Sequence, residues 1–152
     1  MAKPLKSVPI FTASFWKRIG DEVSDRIQVH TKGGVDVYDK PFKKYSDAYE
    51  DAKAAGNFRG QSSFSRKPDL TLTGDMLRNL QTRSANKEGV IIGWSGTNAQ
   101  KVQWNADMGR EITTTVNPVT KKIERFIDKQ VGARIDRNIK AVQETKTFVI
   151  GR

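Results

Sequence analysis

The stretch from Pro68 to Gly109 constrains the fold more than any other, because its start, turn and stop signals come in one fixed order. Leu72-Thr73-Gly74-Asp75-Met76-Leu77-Arg78-Asn79-Leu80 predicts a short helix. Thr73 is placed to accept a hydrogen bond from a free first-turn amide, and Asp75 sets negative charge at the positive helix end. Met76, Leu77 and Leu80 supply one apolar face. Lys87-Glu88-Gly89 marks a turn, and Val90-Ile91-Ile92-Gly93-Trp94 completes a hairpin around it. Thr97 and Gln100 have the spacing of a capping box, and Gly109 suits the left-handed position that closes a helix. The order is therefore capped helix, hairpin, second capped helix.

The flanks add longer elements. Residues 1 to 12 hold Pro4 and Pro9 and read as an extended arm, with Ile10 and Phe11 as its anchors. Phe15, Ile19, Val23 and Ile27 recur every four residues, so 14 to 31 predicts a helix lying on a core, ended by Gly33-Gly34. Val35 to Tyr38 alternates and predicts a strand. Ser46 is placed to cap a short helix, Asp47 to Ala55, closed by Gly56. Residues 57 to 68 have no period and no acid before Asp69; with their surroundings, 40 to 69 reads as a long, functional or flexible loop. Thr113-Thr114-Thr115 favours a strand over Glu111 to Val116, and Asn117-Pro118 opens a helix expected to reach about Val142. Its apolar residues, Val119 to Val142, step mostly by four and drift around the axis. That drift predicts either a bend near Gly132 or two halves packed on different partners. Residues 143 to 152 read as a terminal edge strand or a docking tail, carried by Phe148, Val149 and Ile150.

Little in the sequence points to bond chemistry. There is no cysteine, so thiolate metal sites, thiol nucleophiles and disulfides are excluded. The single histidine, His30, falls near a helix end where the dipole favours it. One histidine does not make a zinc site. Asp21 with Asp25, and Asp47 with Glu50 and Asp51, are paired carboxylates that read as solvated helix faces. No phosphate-binding glycine loop is present. The expectation is a protein without catalytic, cofactor or metal residues. No apolar run approaches the length of a membrane span or a signal peptide, which predicts a soluble protein made in the cytoplasm.

Charge is the stronger signal. The chain carries 27 basic against 17 acidic side chains, a net +10 that favours polyanions or acidic protein surfaces. Lys40, Lys43, Lys44, Arg59, Arg66 and Lys67 interleave with Phe42, Tyr45, Phe58 and Phe64. Such a loop suits a nucleic-acid backbone with bases stacked on its rings, and equally a solvated loop whose aromatics pack locally. Trp94 reads as core. Trp104 fits either core or interface.

The segment Leu72-Thr73-Gly74-x-x-Leu77-Arg78, the hairpin with Ile91 and Gly93, and the helix Trp104 to Gly109 together resemble the phage virion-morphogenesis and tail-completion family. Where that family often carries Tyr-Ala, this chain has Trp104-Asn105-Ala106. The resemblance implies a head-tail neck protein of a virion. Copies would close into a ring of six or twelve between the head connector and the tail tube, around the DNA channel. It also implies that the 40 to 69 loop orders against an adjacent subunit. Tight DNA contact in the lumen would hinder ejection, so acidic protein partners are expected to meet many of the charges.

The expected fold is α+β in one domain: a small antiparallel sheet with helices 14 to 31 and 118 to 142 packed on one face, plus arms and a long loop. The expected interface residues are Ile10, Phe11, Phe58, Phe64, Trp104, Phe148 and Ile150. The expected DNA-channel or acidic-partner contacts are Lys40, Lys43, Lys44, Arg59, Arg66 and Lys67. A tail-terminator ring and a small basic nucleic-acid-binding protein are the alternatives.

Overall fold

The computed structural model describes residues 10–147. Helix α1, Ala13–Lys32, is set by Thr12, whose side chain accepts a hydrogen bond from the Phe15 amide at 3.1 Å. Phe15, Ile19, Val23, Ile27 and Thr31 form its buried face. Gly34, at φ +83°, turns the chain away after Lys32. The helices α2, Asp47–Ala54, which Ser46 precedes without making the expected side-chain cap bond, and α3, Asp75–Arg78, follow, then strands β1, Gln81–Ala85, and β2, Val90–Gly93. Helices α4, Gly96–Asp107, and α5, Lys121–Thr147, complete an α+β fold of five helices and one two-stranded antiparallel sheet.

The hairpin pairs Thr82 with Ile92 and Ala85 with Val90, with a bulge at Arg83. Arg83 secures the bulge by donating to the carbonyls of Gly93 at 2.9 Å and Asn79 at 2.6 Å. Helix α1 lies directly on this hairpin, and the close approach depends on Gly20. A Cβ there would stand 2.6 Å from both Thr82 Oγ1 and Val90 Cγ2. Asp21, one residue on, accepts the Thr82 hydroxyl at 2.7 Å. Helix α5 packs on α1, with the Arg26 guanidinium 4.1 Å from the centre of the Phe126 ring. Phe42, Leu70, Met76, Leu77, Leu80, Ile112 and Ile123 join the α1 stripe in one core.

The motif around α3 is built as a clamp. Gly74 takes φ +82°, where a side chain would be strained, and its Cα lies under Arg78. Arg78 folds back onto Asp75 at 2.6 Å and the Thr73 carbonyl at 3.0 Å, while Leu77 is fully buried. Gly109, at φ +78°, follows α4 as expected.

Several local expectations are corrected. Val35 to Tyr38 is not a strand. Asp36 accepts from the Tyr38 and Lys40 amides, both at 2.9 Å, and this side-chain turn leaves only a Val35–Pro41 bridge. The threonine run is not a strand either. Thr114 and Asn117 exchange hydrogen bonds at 2.8 to 3.2 Å, so hydroxyl-to-backbone bonding overrides β propensity. Asn117 therefore lies in a turn, and α5 starts later, with Thr120 accepting the Ile123 amide at 3.3 Å. Thr97 is inside α4, which begins at Gly96 after Ser95, so the Thr97–Gln100 pair does not cap it. Helix α5 runs unbroken through Gly132 to Thr147, so Lys146 and Thr147 are helical and not strand. The arm before Ile10, and Phe148 with Ile150, lie outside the described residues. No helix among the described residues is long and apolar enough to cross a membrane.

Candidate functional site

The region expected to be a long loop is organised by a buried ion pair. Helix α2 carries Lys53, whose side chain is 0% exposed and whose ammonium lies 2.5 Å from Asp69 Oδ1. Asp69 is further held by the Ser63 hydroxyl and, at 3.0 Å, by the Thr71 amide. Such a pair persists only where the remaining lone pairs and protons are satisfied. The Gln61 side-chain amide closes the loop by donating to the carbonyls of Lys53 and, at 2.7 Å, Ser63.

Tyr45 covers this pair. Its ring lies 5.1 Å from the Lys53 ammonium on one approach and 4.9 Å from the Arg110 guanidinium on another. Its hydroxyl accepts from the Leu70 amide at 3.2 Å. Burial, then the Asp69 charge, pushes the phenol pKa up to about 12. Arg110, also buried, donates to the carbonyls of Lys43 at 2.8 Å and Lys44 at 2.9 Å. It thereby fixes the backbone of the 43–45 segment against the end of α4.

These contacts build the walls of an open groove of about 1040 Å³. It is lined by residues of Lys43 to Tyr49, by residues of Leu70 to Met76, and by Lys101 and Trp104 of α4 with Met108 just beyond it. Trp104 is 56% exposed, although it is the largest apolar side chain on α4. The structure thus brings together Lys43, Lys44 and Trp104 from the expected set. Lys40, Arg59 and Lys67 are exposed but do not line this groove.

Other expected residues are engaged within the chain. Arg66 pairs with Asp51 at 2.7 Å and Glu50 at 3.4 Å, so its charge is partly met at home. Phe11 is half-buried, 5.4 Å from Phe15 and 5.3 Å from Trp16 between ring centres. Phe58 is half-buried beside Tyr49, which in turn packs on Tyr45. Phe42 is core. Of the aromatics interleaved with the basic residues, only Phe64 stands in solvent, at 59% exposure. Ile10 is exposed, and its carbonyl accepts from Arg134 at 2.9 Å. Trp94 leans on the core and donates its indole N–H to the Met76 carbonyl at 2.9 Å.

Two further titratable groups, His30 and Asp21, have structural partners. His30 Nε2 donates to the Asp36 carbonyl at 2.8 Å. Hydrogen bonds from Lys17 and Thr82 hold the Asp21 carboxyl below the usual carboxylate range. No group of three or more His, Asp or Glu among the described residues is arranged to hold a metal ion.

Sequence reasoning missed Lys53, Asp69, Arg110 and Met108. One signal was present: Asp69 is the lone acid closing a stretch that otherwise holds only basic and neutral residues from Asn57 on. Compared with protein-family models, curated proteins and solved structures, the chain matches none.

Proposed function

We propose that the protein is a structural head-tail neck component of a tailed-phage virion, assembling as a homo-oligomeric ring between head connector and tail tube. The observation that carries this reading is the pairing of a clamp-like motif with displayed apolar side chains. Thr73, Gly74, Leu77 and Arg78 form a clamp in which Arg78 folds back onto Asp75 and the Thr73 carbonyl while Leu77 is buried. Elsewhere on the surface Phe64, Trp104, Ile135 and Ile139 remain exposed on a chain of net charge +10. Large apolar side chains held out by an ordered scaffold suit contacts with neighbours. Its placement in the virion rests on the resemblance of that motif to the tail-completion family. The mechanism is association, in which head-to-tail contacts close by rotation.

Electron microscopy of the purified protein and of particles lacking it tests the proposal. Rings of six or twelve copies, and tail-less heads in its absence, are expected. Complete, infectious particles without the protein would refute it. The nucleic-acid alternative draws on the exposed Lys40, Arg59 and Lys67. It predicts DNA affinity that falls steeply with salt. The inward packing of Phe42, Tyr45 and Phe58 removes the stacking platform that such binding uses.

A further inference from the structure

We propose that the groove between Lys43–Tyr49 and α4 docks a short acidic peptide segment of a partner protein, anchored by that peptide's own apolar side chains. At about 1040 Å³ the groove is at the upper end of clefts that enclose compact ligands. Trp104 from α4, a helix with no buried residue, and Met108, which follows its end, both line it. A displayed tryptophan is a characteristic anchor, and a methionine beside it adapts to varied apolar partners.

Charge selects the occupant. Lys43, Lys44 and Lys101 line the groove, and none has an ion-pair partner among the described residues. Asp107 is the one acid on the lining, and it already accepts from Gln103 at 2.8 Å. The rim is therefore cationic and the interior apolar, which fits carboxylates flanking a hydrophobic residue. The chain's own segment 146 to 152, Lys-Thr-Phe-Val-Ile-Gly-Arg, is apolar but basic, so it meets like charge there. A nucleic acid would find phosphate contacts but one open ring only, since Tyr45 and Tyr49 pack edge to face at 4.8 Å. The walls are fixed beforehand by Arg110 and by the Lys53–Asp69 pair, which lowers the ordering cost of binding. This inference stands on the groove alone and holds whether or not the protein forms a ring.

The test uses the full chain, isotopically labelled, titrated with a synthetic peptide of alternating Asp and Glu bearing one Phe and one Leu. Saturable binding is expected, with the Trp104 indole N–H resonance shifting while those of Trp16 and Trp94 stay in place. Trp104→Ala, and separately the Lys43→Glu/Lys44→Glu pair, should weaken binding by about tenfold or more. All three side chains are exposed, so thermal midpoints should hold. The proposal is overturned by absent saturation, by unchanged affinity in Trp104→Ala, or by tighter binding of a 146–152 peptide or of oligothymidine. Sedimentation of the same samples reports ring assembly separately, so the two proposals fail independently.

Discussion

Lys53 illustrates how much one side chain can hold. It is wholly enclosed, and Asp69, Tyr45 and the Gln61-bridged loop are arranged around it. Lys53→Met leaves the Asp69 carboxylate buried without its cation, and should cost about 3–5 kcal/mol in urea unfolding. The double replacement Lys53→Met/Asp69→Leu should recover much of that loss, since it removes both desolvated charges; a simple sum of the two single effects would refute the coupling. Tyr45 makes a second test at the same place. Its pKa rises from 10.0 to about 12 on folding, so the folded state binds the phenolic proton more tightly than the unfolded chain. The associated stability is fully present below pH 10 and is lost as pH climbs from 10 through 12. Denaturant midpoints across that window should fall for the wild type and flatten in Tyr45→Phe. Tyr49, raised in the same direction by burial, leaves a smaller residual slope.

At the scale of elements, the contact between α1 and the hairpin turns on Gly20. In an open helix Gly→Ala gains about 1 kcal/mol. Here the added methyl would meet Thr82 and Val90 at 2.6 Å, so Gly20→Ala should instead lose about 1–3 kcal/mol by separating helix from sheet. A methyl added at Gly132 in α5 would meet nothing within 4 Å, so Gly132→Ala should stabilise by up to about 1 kcal/mol. Thermal unfolding of the two variants should move in opposite directions. The α1 face, the hairpin and the short α3 helix were legible because period and turn signals agreed over Phe15 to Ile27 and Leu72 to Gly93, but the Arg78 clamp was not. Val35 to Tyr38 and Thr113 to Thr115 were misread because side-chain oxygens, which periodicity ignores, captured the backbone amides. The candidate site was legible only in part. Trp104 and the lysines announce themselves by type, but the Lys53–Asp69 and Arg110–Lys43 contacts join residues 16 and 67 positions apart. No local pattern encodes such pairs.

For the whole molecule, α5 runs from the core out to an exposed surface. Its first half buries Ile123 and leans Phe126, Ile127 and Val131 on the core. Four-residue spacing then carries the apolar stripe around the axis, and Ile135 and Ile139 emerge exposed one turn apart. The drift seen in the sequence thus becomes a helix with an inward half and an outward half. If the outward half seats a second copy, Ile135→Gln/Ile139→Gln should leave the thermal midpoint of the monomer nearly unchanged, because neither side chain is core. Assembly should be lost in sedimentation velocity at the same protein concentration. Salt separates this contact from the lysine-lined groove. An interface of buried isoleucines should survive high ionic strength, whereas lysine–carboxylate contacts weaken as the screening length falls from about 10 Å at 0.1 M to about 3 Å at 1 M. Rings that persist in high salt yet vanish in the double glutamine variant would assign assembly to α5 and leave the cationic groove for a different partner. Rings that form unaltered in the variant would place the subunit contact on another surface.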